Sequence, residues 1–258
     1  VNRRRSLICT LLLSLALAAC GLLQPRPRAS GTEPIAFVTR FSSVNPKGSW
    51  PAGWFPAAAP QFRTETRYAL VDDAGTTVVH ATADGSSSGL ALSVDIDPRR
   101  FPILRWRWKV PRPIPGADNK RRETDDAPAR IQLAFAGDVS SLPFGERLFF
   151  TQVKATAGFD VPYATLEYSW GSGAPQGTIV VNQWTGRIRG ILVRSGPRGM
   201  GEWVAEQRNV YEDFRAAFGE EPGRITQVGI WTDTDATGAT AEAWYGDIEL
   251  DSVTVVKE

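Results

Sequence analysis

"ILRWRWKV", residues 103–110, is the stretch on which the fold turns. Leu104, Trp106, Trp108 and Val110 alternate with Arg105, Arg107 and Lys109, a period of two that suits a strand with one apolar and one charged face. "ARIQLAF" (129–135) repeats the pattern, setting Ile131, Leu133 and Phe135 against Arg130, Gln132 and Ala134. "YATLEYSW" (163–170), "GTIVVNQW" (177–184), "GRIRGILVRSG" (186–196) and "RITQVGIWT" (224–232) also read as strands bounded by Gly, Pro, Asn or Ser. One short helix is expected in 209–219, "NVYEDFRAAFG", where Val210, Phe214, Ala217 and Phe218 share a face and Gly219 is the stop. Many short strands with one helix predict an all-β chain, an antiparallel β-sandwich of jelly-roll type. Nine Trp and twelve Phe supply its core.

The first residues, "VNRRRSLICTLLLSLALAACGLLQ", set three arginines before an apolar run too short for a membrane span. The run ends in Leu17-Ala18-Ala19-Cys20, which resembles the lipobox of bacterial lipoproteins. That resemblance implies a signal peptide over 1–19 and acylation of Cys20, and Gly21 after it implies the outer membrane. Residues 20–34 are then the lipidated cysteine and a linker rich in Pro, Gly and Ser, and 35–258 a single domain. The expected localisation is the bacterial cell envelope, as an outer-membrane lipoprotein facing the periplasm.

Loss of residues 1–19 would remove three arginines and no acids, leaving 26 basic against 28 acidic residues. Such a balance offers no basic face for phosphate, so a nucleic-acid partner is excluded. With Cys9 in the signal and Cys20 on the lipid, no thiol remains for a disulfide, a zinc site or a nucleophile.

"FPILRWRWKV", "DDAPARIQLAF", "QRNVYEDFRAAFGEEPGRI" and "GIWTDTDATGATAEAWYGDIEL" together resemble a bacterial family known as DUF3047, over most of residues 35–256. The family's function is unknown, so the resemblance carries none with it. The closing "AWYGDIEL" and the opening "FSSVNPKGSWPAGW" are also similar to carbohydrate-binding modules of the galactose-binding jelly-roll type. That likeness implies a last strand lying near the first, and sugar binding.

Several motifs have plain readings. Gly85-Ser86-Ser87-Ser88-Gly89 matches a G-x-S-x-G nucleophile elbow, but a strand follows it and the single histidine, His80, precedes it. It reads as a hairpin turn. "DTDATG" (233–238) begins like an EF-hand loop, yet the twelfth position is Trp244 instead of an acid. A structural calcium on Asp233 and Asp235, or near Asp247 as the jelly-roll likeness implies, is the one cofactor these residues suggest.

"TDDAPAR" (124–130) offers two adjacent carboxylates, Asp125 and Asp126, which in an extended chain point to opposite sides. They are poorly placed as a glycosidase pair, which must face each other across a bond. They read instead as partners for arginine beside a wet, concave polar face. The expected ligand face comprises Arg107, Lys109, Asp125, Asp126, Arg130 and Gln132, with Trp170 or Trp184 stacking at its edge. The first reading is a lipid-anchored, non-catalytic module for a glycan or other polar ligand. The alternatives are a polysaccharide hydrolase or lyase using Asp126 or Glu167, and a scaffold for a protein partner.

Overall fold

The computed structural model describes residues 36–57, 64–157 and 160–252. The expected signal peptide, Cys20 and the linker lie outside the described residues. Thirteen strands and two α-helices follow in the order β1 (Ala36–Thr39), β2 (Trp54–Ala57), β3 (Arg67–Asp73), β4 (Thr76–Asp84), β5 (Ser87–Ile96), β6 (Ile103–Lys109), β7 (Ala129–Phe135), α1 (Phe144–Ala157), β8 (Ala164–Gly171), β9 (Ile179–Val181), β10 (Ile188–Ser195), β11 (Val204–Asn209), α2 (Val210–Phe218), β12 (Ile225–Asp233) and β13 (Thr240–Asp251).

They form two sheets. The first runs β11-β6-β13-β4-β3, with β1 also on β13; the second runs β2-β5-β12-β7-β8-β10-β9. The chain changes sheet at every step from β1 to β3, from β4 to β7 and from β10 to β13, as a jelly roll requires. First and last strands pair, with Ala36 opposite Leu250. One pair departs from the expected antiparallel rule: β10 lies parallel to β8. The 84–89 turn is also corrected. β4 and β5 pair with other strands, so "DGSSSG" carries the chain between sheets and is no hairpin.

The two alternating strands face each other across the core. Leu104, Trp106 and Trp108 of β6 are buried against Ile131, Leu133 and Phe135 of β7 and Tyr168 and Trp170 of β8. Trp106 stacks on Tyr168 at 5.3 Å between ring centroids, and Trp108 meets Trp170 at 6.0 Å. α2 caps one side of the core, Phe214 meeting Phe135 at 4.5 Å. Asn209 accepts the Glu212 N–H at its start, and Gly219, at φ +72°, ends it in the left-handed conformation.

α1 is the second helix, which the period of the sequence did not mark. Only Phe150 of its large apolar residues is buried, while Phe144 and Leu148 are exposed, so no single apolar stripe announces it. Its first-turn acid, Glu146, ties it to the chain before β10 by accepting from the Gly186 N–H at 2.7 Å and from the Thr185 hydroxyl. Among the described residues no helix is long and apolar enough to cross a membrane.

Candidate functional site

Strand register lays out the outer face of the second sheet in rows. One row runs Ala57, Gly89, Trp231, Arg130 and Ser169 across β2, β5, β12, β7 and β8. The next runs Phe55, Ala91, Gly229, Gln132, Glu167 and Gly190. A third sets Ala134 beside Gln227 and Thr165. Directly opposed residues share a face, so these are the side chains that stand on the sheet's outside. Glycine and alanine at so many of these positions keep the floor low. Larger groups rise around it: Phe149 and Val153 of α1 on one side, Trp184 in the loop between β9 and β10 on another. The result is a groove of about 980 Å³.

Gly89 has a specific task there. A Cβ at that position would lie 2.3 Å from the Trp231 ring and 2.5 Å from the Ile230 carbonyl oxygen. Without it the indole lies down on the strand, its Nε1–H donating to the Ser87 hydroxyl at 3.2 Å.

Arg130 is the hub of the floor. Its Nε donates to Asp233 Oδ1 at 3.0 Å and its Nη2 to Asp233 Oδ2 at 3.1 Å. Nη2 also reaches Asp125 Oδ1 at 3.1 Å, and Nη1 reaches Glu167 Oε2 at 3.3 Å. Gln132 donates to the other Glu167 oxygen at 2.8 Å. Asp125 and Asp126 do diverge: Asp126 turns away and accepts from the Ala236 and Thr237 N–H groups and the Thr237 hydroxyl. It holds the β12–β13 loop shut and is fully buried.

Four expected ligand contacts lie elsewhere: Asp126, turned into the β12–β13 loop, and Trp170, Arg107 and Lys109. Trp170 is fully buried, because on β8 it falls on the inward parity with Tyr168, and its Nε1–H is spent on the Gly196 carbonyl. Arg107 and Lys109 stand on the outer face of the first sheet, on the other side of the sandwich, because β6 and β7 belong to different sheets. There Arg107 lies over Trp203 at 4.6 Å, and Lys109 pairs with Asp73 at 2.9 Å between Trp203 and Trp244. His80 stacks on Trp244 on the same face. Asp125, Arg130, Gln132 and Trp184 do come together in the groove. Trp184 is 60% exposed, with the Arg122 guanidinium 3.4 Å over its ring. Glu167, Trp231, Asp233 and Phe149 join them. The outward parity of β8 and β12 carries the first three; nothing in the period of 144–157 points to the last.

The sequence profile of DUF3047, "Protein of unknown function", matches residues 52–249. The chain belongs to this family. No curated protein matches it. Among solved structures it is similar to the family 11 carbohydrate-binding module of the cellulosomal cellulase Lic26A-Cel5E of Clostridium thermocellum, with 8% identity and a TM-score of 0.43, covering 86% of this chain and 96% of that one. It is also similar to the carbohydrate-binding module CBM28, specific for non-crystalline cellulose, with 10% identity, a TM-score of 0.36 and coverage of 78% and 87%. A third is the K2 cleaved adhesin domain of Lys-gingipain, with 11% identity, a TM-score of 0.38 and coverage of 82% and 96%.

In this DUF3047 chain the groove floor is electrostatically loaded. Burial would depress the Arg130 guanidinium, yet Asp233, Asp125 and Glu167 together hold it well above its ordinary range. Burial raises Glu167 and Asp235 as well, and it pushes Asp233 up to about 7 against the pull of Arg130. A carboxyl raised this way stays protonated in the folded chain between about pH 4 and 7, where the unfolded chain has already released its proton. Its contribution to stability is therefore present at about pH 4 and lost as pH rises to about 7. Urea unfolding at a series of pH values should show wild type losing ground to Asp233→Asn across that window. A pH-independent difference between the two would refute the assignment.

Asp126, Asp233 and Asp235 each bring one oxygen within 4.8 Å of the others. Asp247 does not join them; it accepts from Ser42 N at 2.9 Å and Ser42 Oγ at 2.6 Å, stapling the last strand near the first. Both oxygens of Asp233 face the Arg130 guanidinium and both of Asp126 accept protein donors. A calcium ion takes six to eight oxygen ligands, waters and carbonyls included; this cluster offers three convergent carboxylates, two of them already bound to protein donors.

Proposed function

We propose that the groove over the second sheet is the binding site of a non-catalytic glycan-binding domain, carried on a lipid-anchored protein of the bacterial envelope. The observation that supports it most is the pairing of hydrogen-bonding groups on the floor with ring faces at the walls. Arg130, Gln132, Glu167 and Asp125 are held rigid by one another, and Trp184 and Phe149 rise beside them. Sugars present hydroxyls along their edges and apolar C–H faces above and below, which suits such a mixture. Hydrolysis would need two carboxylates with room for a scissile bond between them. Here Asp125 and Glu167 are both engaged by the same guanidinium, which takes up that room.

A glycan array probed with the purified protein and with Glu167→Gln tests this. Wild type should retain a defined set of oligosaccharides, uncleaved, and the variant should lose them while still folding. Retention of the same set by both proteins would remove the groove from the account, and cleavage of a bound oligosaccharide would replace binding by catalysis.

A further inference from the structure

Beside Glu167 lies a small recess of about 10 Å³ that shares Asp125, Arg130 and Glu167 with the groove's lining and is also lined by Asn119, Ser169 and Gly190 among others. That volume is of the order of one water molecule or one ammonium group. Ser169 lines it, fully buried, and its Oγ has no hydrogen-bond partner. A buried hydroxyl is seldom left without a partner. Gly190 keeps the recess open: a Cβ there would lie 3.7 Å from Glu167 Oε2 and 3.9 Å from Ser169 Oγ, in ordinary contact and without clash.

Charge says which small group belongs there. The groove is lined by five acidic side chains, Glu123, Asp125, Glu167, Asp233 and Asp235, against two guanidiniums, Arg122 and Arg130; with Asp233 protonated below about pH 7, four acidic groups remain against the two. Arg130 alone serves Asp125, Glu167 and Asp233, and Arg122 is drawn off over Trp184. A groove lined by excess charge of one sign concentrates ligands of the other. An anionic uronate would meet these carboxylates unpaired, whereas a primary ammonium brings three donors to a site rich in acceptors.

Resting on the glycan reading of the groove, we infer that the recess formed by Asp125, Glu167, Ser169 and Gly190 is an ammonium subsite, so that the ligand class is a glycan bearing free amino groups. The carboxylate oxygens and the Ser169 hydroxyl accept from the ammonium, while the ring lies along the floor toward Trp184. Burial has raised Glu167, and an arriving cation would favour its ionised form.

Titration calorimetry of the full-length protein with three matched β-1,4-linked tetramers, of glucosamine, glucose and N-acetylglucosamine, tests this at mildly acidic pH. At low salt the glucosamine tetramer should bind about tenfold more tightly than the other two, and high salt should shrink that ratio. Gly190→Ala, which fills the recess, and Ser169→Ala, which removes its acceptor, should each bring the ratio close to one. Equal affinity for the glucosamine and glucose tetramers, or an advantage that survives Gly190→Ala, would overturn the ammonium subsite and leave the glycan reading standing. Binding of none of the three would overturn both.

Discussion

Arg130→Met is expected to destabilise the fold by about 3–5 kcal/mol, because it leaves Asp125, Glu167 and Asp233 facing one another with no counter-charge. For a domain of this size that corresponds to a melting temperature lower by roughly 10 °C. The cost comes from the orphaned carboxylates more than from the lost ion pairs, since the gain from a buried pair is largely offset by desolvation. A second expectation separates the two. Adding Asp233→Asn and Glu167→Gln to Arg130→Met should recover much of the loss, although neither addition restores an ion pair. Thermal and urea unfolding of the single and triple variants measure it. A triple variant weaker than Arg130→Met would mean that the ion pairs themselves hold this region together.

Trp170→Ala and Trp184→Ala should fail in opposite ways. Trp170 is fully buried against Trp108, and its removal leaves a cavity costing about 3–5 kcal/mol. Trp184 is mostly exposed at the groove rim, so its removal should change stability by no more than about 0.5 kcal/mol. Oligosaccharide affinity should instead fall about tenfold or more in Trp184→Ala, through the lost stacking face. Melting curves and affinities measured on both variants give the contrast. A Trp184→Ala protein that binds as wild type does would remove the aromatic wall from the site.

Strand alternation made most of the sandwich readable. β6, β7, β8, β10 and β12 fall within a few residues of where their period of two puts them. What alternation cannot say is which strands share a sheet. Arg107, Lys109, Arg130 and Gln132 carry the same local signal, yet long-range pairing sends the first two to one outer face and the others to the opposite one. Trp170 shows a second limit, since a tryptophan at a strand end reads alike whether its parity is inward or outward until the register is known. That Asp125 or Asp126 would pair with an arginine was legible, but not which one: Asp125 takes Arg130, five residues on, while Asp233 reaches the same guanidinium from 103 residues away. No local pattern contains that contact. α1 stayed hidden because its apolar residues surround the helix without forming a stripe, some facing the groove and some the solvent.

The most direct test of the groove is the indole N–H spectrum of the ¹⁵N-labelled protein, titrated with an oligosaccharide retained on the array. Trp184 and Trp231 line the groove, and Trp203 and Trp244 stand on the outer face of the first sheet. Assigned by single replacement, the Trp184 and Trp231 resonances should move with saturation while those of Trp203 and Trp244 stay fixed. Movement of Trp203 and Trp244, with Trp184 and Trp231 unchanged, would put the ligand on the opposite side of the sandwich and contradict the site described for this chain.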